Sequence, residues 1–151
     1  MAEIQSLARG LKILDLLANS DDGMGITSLA AELQIDKGSA SRLLATLANY
    51  GFSEKDPDTR RYKLGPRIVS LSRSLLTKMP LREAAKPFLH QLVRETGECA
   101  HLGVCSQKKM LYIDQVESPE TLRVNAEVGS TAPFHCTALG KALIAWGGAP
   151  L

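Results

Sequence analysis

No run of apolar residues in this 151-residue chain approaches the roughly 18 needed to cross a bilayer, which excludes a transmembrane helix. Cysteine is scarce: Cys99, Cys105 and Cys136 make an odd count with no CxxC pair. That argues against a disulfide framework and suits a reducing cytoplasm. The opening residues 1–5 carry neither a basic nor an apolar stretch, so no secretory leader is expected. Neither a glycine-rich phosphate loop (GxGxxG or Walker-type) nor a GxSxG nucleophile turn occurs. Glu95 and Glu98 stand three apart, as solvated glutamates commonly do, and nothing assembles a catalytic site. No enzyme activity and no cofactor are expected. Cys99, His101 and Cys105 form C-x-H-x3-C, but zinc needs about four ligands and His135 and Cys136 would have to supply the rest. No metal is expected; cysteines in an apolar core and a surface histidine account for the same residues. What is present is a globular composition, 44% hydrophobic and 23% charged, which argues against disorder.

The net charge of +2 averages over an uneven distribution. Residues 1–36 carry two basic and six acidic side chains, a sum of −4. Residues 37–77 carry eight basic and three acidic ones, a sum of +5, and residues 78–151 come to +1. A basic block inside a near-neutral chain fits a polyanionic partner, although a solvated face gives the same count.

Ile4, Leu7, Leu11, Leu14 and Leu17 recur at spacings of three and four, which predicts a first helix with one apolar stripe. It ends in the turn formers of residues 19–25. Thr27 is the expected N-cap of a short helix over 28–34, and a further helix follows over 37–50 with Gly51 ending it. The junction between these two helices is informative. Ala30, Leu33, Ile35, Ala40 and Leu43 fall at the steric positions of a helix-turn-helix unit. Ala30 is small where the helices cross, and Leu33, Ile35 and Leu43 fill the wedge between them. Gln34-Ile35-Asp36 is the tight connection, with glutamine where such motifs often carry glycine. The start of the second helix then exposes Lys37, Gly38, Ser39, Ser41 and Arg42, with Thr46 one turn further on. Small, hydroxylated and basic side chains suit entry into a major groove, where arginine reads guanine and hydroxyls hold phosphates. A plain helical hairpin with a polar face is the alternative.

Residues 52–56 and 60–64 are two extended segments around Pro57-Asp-Thr59, a β-hairpin signal. Helix-turn-helix followed by a hairpin is a winged helix. Arg60, Arg61 and Lys63 then lie on the wing, within reach of DNA backbone or minor groove.

Ser6-Leu-Ala-Arg-Gly-Leu-Lys-Ile-Leu14, Ser39-Ala-Ser-Arg-Leu-Leu-Ala-Thr-Leu47, Tyr50-Gly-Phe52 and Tyr62-Lys-Leu-Gly65 together resemble the isocitrate-lyase-regulator (IclR) family of bacterial transcription factors. Pro133-Phe-His-Cys-Thr-Ala-Leu-Gly-Lys-Ala142 resembles that family's signature in its effector-binding domain. The resemblance implies an α+β chain: a winged helix-turn-helix domain, a linker helix, and a GAF-like α/β effector-binding domain that takes a small molecule, often an organic acid. It also implies dimers, or dimers of dimers, on partly palindromic operators. In this numbering the expected parts are residues 1–65, 66–79 and 80–151.

The linker has support of its own. Pro66 suits a first helical turn, and Ile68, Leu71 and Leu75 form an apolar stripe too short to have its own core. Beyond Pro80, the residues Leu81, Ala84, Ala85, Phe88, Leu89, Leu92 and Val93 form a helical face that Pro87 is expected to bend or break. Strands are expected over 99–104, 109–116 and 122–128, then a helix over 138–146 capped by Thr137. Its N-terminus offers free N–H groups and a positive dipole, which suits a carboxylate. His135, Cys136, Thr137 and Ala138 surround it, and the resemblance implies that this loop lines the effector pocket; an ordinary capped helix is the reading without it. Arg123, on a strand leading towards the loop, is a further candidate to pair with an acid. Residues 78–151 are about half of what such a domain needs, so a piece of a longer regulator is expected rather than completion by another subunit.

The expected function is sequence-specific DNA binding by a cytoplasmic transcriptional regulator that answers to a carboxylate effector. The alternative is a winged-helix dimerisation module of a small-molecule-binding protein or enzyme.

Overall fold

The computed structural model describes residues 3–118 and 126–147. The chain divides into two compact units, Met1–Ser74 and Leu75–Leu151.

The first unit is built from three helices and a hairpin. Helix α1 spans Gln5–Ala18, α2 Ile26–Leu33 and α3 Lys37–Asn49. Strands β1 (Ser53–Lys55) and β2 (Tyr62–Leu64) pair antiparallel, with Ser53 opposite Leu64. Met24 adds a bridge to Tyr62 on the free edge of β2, through mutual hydrogen bonds of 2.9 and 2.8 Å. The core is Ile13, Leu17, Leu29, Leu33, Leu44 and Tyr62. Only part of the expected stripe on α1 reaches it. Leu17 is buried, whereas Ile4, Leu7 and Leu11 are exposed, and Ile13 takes the central place. The spacing identified the helix correctly, but α1 has leucines on two faces and α2 and α3 cover only one. Similarly, Leu43 is half-buried, while its neighbour Leu44 is fully enclosed.

Helix α2 begins two residues before the expected start. Gly25 is its N-cap, and Thr27 lies inside the helix without capping it. Gln34 ends α2 in the left-handed conformation, at φ 53° and ψ 47°. That geometry explains why glycine is common at this turn: a side chain there is strained against its own backbone. Gly51 takes the same role after α3, at φ 74°. A Cβ on the nearby Gly65 would collide with the Gly51 carbonyl, so the chain leaving the hairpin can pass this close only as glycine.

The hairpin strands are shorter than expected because Asp56 organises the turn between them. Its side chain accepts from the amides of Asp58 (3.0 Å) and Thr59 (2.8 Å), and Arg60 follows at φ 60°. Helix α4, Arg67–Thr77, buries none of its residues; Leu71 and Leu75 are exposed and Ile68 is half-exposed.

In the second unit α5, Pro80–Thr96, is one helix running through Pro87 rather than two. It buries Leu89 and Val93 against Ala100, while Leu81, Phe88 and Leu92 of the expected face stay exposed. Strands β3 (Ala100–Ser106), β4 (Lys109–Val116) and β5 (Thr131–Ala132) form an antiparallel sheet in the order β3-β4-β5, with an irregularity at Leu102/Gly103. Part of the strand expected over 122–128 lies outside the described residues, and 126–128 are not strand; β5 pairs with Met110 and Leu111 instead. Arg82 clamps α5 onto the sheet: its guanidinium meets Asp114 at 3.2 Å and donates to the Leu76 carbonyl at 3.1 Å. A 3-10 turn at Phe134–Cys136 leads into α6, Ala138–Ala145.

Candidate nucleic-acid interface and ligand loop

Helix α3 is seated from one side only. Ala40 and Leu44, both at 0% exposure, face the core, and the buried Ser53 hydroxyl donates to the Leu44 carbonyl at 3.4 Å. Its start is fixed by Asp36, whose carboxylate accepts from the Ser39 amide at 2.8 Å. The Ser39 hydroxyl and amide beside Asp36 hold its carboxyl below the usual carboxylate range. On the opposite face Lys37, Gly38, Arg42 and Thr46 are exposed, and Ser39 and Ser41 are half-buried along the flanks. Arg42 donates to the Ser39 hydroxyl at 3.2 Å, and Thr46 turns its hydroxyl back to the Arg42 carbonyl at 2.9 Å. The six residues proposed from sequence therefore share one helix, with its basic side chains turned away from the core.

The hairpin carries the other three. Arg60 and Lys63 are exposed, and Lys63 stands close enough to Asp56 to help hold that carboxyl low, after the larger contribution of the Thr59 amide. Arg61 is exposed over most of its surface but donates to the Gly23 carbonyl at 3.3 Å, so it also ties the hairpin to the loop after α1. Lys55 lies over the Tyr62 ring, 5.6 Å from its centre.

Helix α1 adds two side chains that its sequence did not mark as part of this face. Ser6 and Arg9 of α1 line a groove with Ser39, Arg42, Leu43 and Thr46 of α3. Charge counted by blocks hid Arg9, because it lies in the acidic first 36 residues, where acids outnumber bases.

In the second unit, His135, Cys136, Thr137 and Ala138 wrap a single turn. His135, Cys136 and Ala138 are exposed, and Thr137 is half-buried because its hydroxyl caps α6, accepting from the Gly140 amide at 2.9 Å. The amides of Ala138 and Leu139 then stand at the helix start, where no intrahelical carbonyl reaches them. Gly140 lets this turn close, since a Cβ there would come within 2.5 Å of the Phe134 Cα. Leu139 reaches the sheet at Gly103, where a Cβ would stand 3.2 Å from it. Arg123 lies outside the described residues.

Among the described residues no three histidine, cysteine or acidic side chains gather as a metal site would require. His101 packs edge-on to Tyr112, ring centres 5.7 Å apart, and Cys99 is half-buried while Cys105 is exposed, so the C-x-H-x3-C spacing converges on nothing. No helix among the described residues is long and apolar enough to cross a membrane.

Residues 6–57 match the IclR helix-turn-helix domain, and residues 73–149 match the bacterial transcriptional regulator IclR C-terminal domain. The chain is 33% identical over 146 residues to the HTH-type transcriptional regulator XynR of Escherichia coli K12, covering 97% of itself and 58% of that protein. It is 38% identical over 143 residues to the glycerol operon regulatory protein of Streptomyces coelicolor, covering 95% of itself and 56% of that protein. An IclR family transcriptional regulator from Brucella abortus superposes with a TM-score of 0.81 at 26% identity, over 98% of this chain and 55% of that one. The chain thus spans a little over half the length of these relatives. With one family model covering its helix-turn-helix and another covering residues 73–149, this chain belongs to the IclR family of bacterial transcriptional regulators.

Proposed function

We propose that this protein is a sequence-specific DNA-binding transcriptional regulator whose operator affinity responds to a small organic acid. The observation that carries the reading is the outward face of α3, where Lys37, Gly38 and Arg42 stand free of the core that holds Ala40 and Leu44. A helix with its side chains is about 10–12 Å across, close to the width of the major groove. Gly38 keeps the leading turn slim, Arg42 is long enough to offer a bidentate contact to guanine, and Ser39, Ser41 and Thr46 supply hydroxyls for phosphate or base edges. Arg60 and Lys63 of the hairpin grip the flanking backbone, and Arg61, which also ties the hairpin to Gly23, adds its charge there. Two copies match two half-sites, and the exposed row Ile4, Leu7 and Leu11 is apolar surface suited to burial between copies. Residues 1–65 form the DNA-binding domain, 66–79 the linker helix and 80–151 the effector-binding part.

The effector is a carboxylate held at the start of α6, where the Ala138 and Leu139 amides and the helix dipole favour negative charge and His135 and Cys136 flank the site. Arg123 is a second partner for the acid. Binding there shifts the balance between arrangements of paired winged units, and so their affinity for the operator. The protein works in the cytoplasm and catalyses no reaction.

The test uses duplexes from upstream of the protein's own gene against a duplex of arbitrary sequence. Arg42→Ala should weaken the upstream complex by about 1–3 kcal/mol and leave the arbitrary duplex far less affected. Equal losses on both would remove Arg42 from base recognition, and no binding to either by the unaltered protein would overturn the function.

A further inference from the structure

We infer that Arg9, with Ser6, is a DNA-phosphate clamp that extends the α3 interface onto α1; this rests on the proposed DNA-binding function. Three observations carry it. First, Ser6 and Arg9 line the same groove as Ser39, Arg42 and Thr46, so two guanidinium groups and three hydroxyls border one space. Second, none of the residues lining that groove is acidic. Among the described residues the Arg9 side chain makes no ion pair and no hydrogen bond, and the Arg42 guanidinium donates only to the Ser39 hydroxyl. The Asp36 carboxylate, on the residue that caps α3, is occupied by the Ser39 amide. Two cations beside one groove with no built-in counter-charge are arranged for an anion from outside.

Third, the geometry names that anion. A helix lying in the major groove nearly fills it, so the bordering walls are sugar-phosphate backbone. Ser39, Arg42, Leu43 and Thr46 line the groove from α3, and Ser6 and Arg9 line it from α1, so the α1 side chains border the reading helix where such a wall would run. Arg9 therefore meets a phosphodiester and not a base edge, and Ser6 adds a hydroxyl donor beside it. Arg42, bordering the groove yet exposed on the outward face, stands between the phosphate wall and the bases. The clamp fixes how deep and at what angle α3 sits, without carrying sequence information itself.

The test measures binding of the full chain to a labelled duplex of arbitrary sequence, and to the upstream duplex, across a series of salt concentrations. Arg9→Gln should lower affinity by the same factor on both duplexes and reduce the slope of log K against log salt by about 0.9, the signature of one lost phosphate contact. Arg9→Lys should restore most of the slope, which separates a lost charge from a misfolded helix. Lys12→Gln, an equal loss of charge on α1 outside the groove, should leave the slope unchanged. If the unaltered protein binds and Arg9→Gln keeps the full slope, or Lys12→Gln lowers it equally, the clamp is refuted while DNA binding stands. If the unaltered protein shows no salt-dependent binding, the DNA-binding function itself fails.

Discussion

Replacing Gly140 by alanine probes how the turn at residues 134–138 is held. The Cβ would enter space occupied by Phe134 backbone, 2.5 Å from its Cα and 2.7 Å from its carbonyl carbon. Backbone atoms have no alternative rotamer, so α6 and the 3-10 turn must separate. Overpacking of this kind costs about 1–3 kcal/mol. The Gly140 amide is also the donor to the Thr137 cap, and losing that cap adds about 1 kcal/mol. Alanine recovers about 1 kcal/mol through its better helix propensity. The net is a local destabilisation of about 2 kcal/mol, or roughly 30-fold in the opening equilibrium. Amide hydrogen exchange reads this directly at Lys141 and Trp146, whose N–H groups bond the Thr137 and Ala142 carbonyls at 3.0 and 3.1 Å. Both should exchange about 30-fold faster, while amides of α2 and α3 in the other unit keep their rates. Unchanged or slower exchange in α6 would mean that helix propensity outweighs the contact, and would refute a loop shaped by the missing Cβ.

Two further predictions concern the winged unit. Gln34→Gly should relieve a left-handed strain of about 1–2 kcal/mol, offset by about 0.4–1 kcal/mol of extra unfolded-chain freedom. The thermal midpoint should rise by a few degrees, and a fall would show that Gln34 is not strained. Asp36 and Asp56 have carboxyls held below the usual carboxylate range by the hydrogen bonds they accept, so folding favours their ionised forms. That contribution is complete above about pH 4 and is lost as pH falls through the lower, folded values. The double substitution Asp36→Asn with Asp56→Asn should flatten the acid side of the stability profile. An equally steep profile in the double variant would place the acid sensitivity elsewhere.

Much of the winged unit could be read from the chain. The α3 span needed only the tight connection at residues 34–36, the small Ala40 and the stop at Gly51, because each acts within a few residues; that Asp36 caps the helix came from the structure. The candidate DNA face was legible for the same reason: once α3 is a helix packed through Ala40, Lys37, Gly38 and Arg42 point away. The strand ends and the run of α5 through Pro87 were less legible. An Asx turn at Asp56 shortens the hairpin strands, and packing of Leu89 and Val93 holds α5 together past its proline. The short β5 escaped notice because two residues have no readable period, and only pairing with Met110 and Leu111 makes them a strand.

Sequence by itself determined the element types around the helix-turn-helix, the cap residue Thr137, and the membership that joins two motifs far apart in the chain. Those are properties of local backbone preference and of short spacings, which neighbouring residues settle among themselves. Tertiary structure alone decided which leucines of α1 are core, that Arg61 is bonded to Gly23, and that Arg9 shares a groove with Arg42. Each depends on residues distant in the chain meeting in space, and an apolar or charged side chain carries no mark of the partner it will meet.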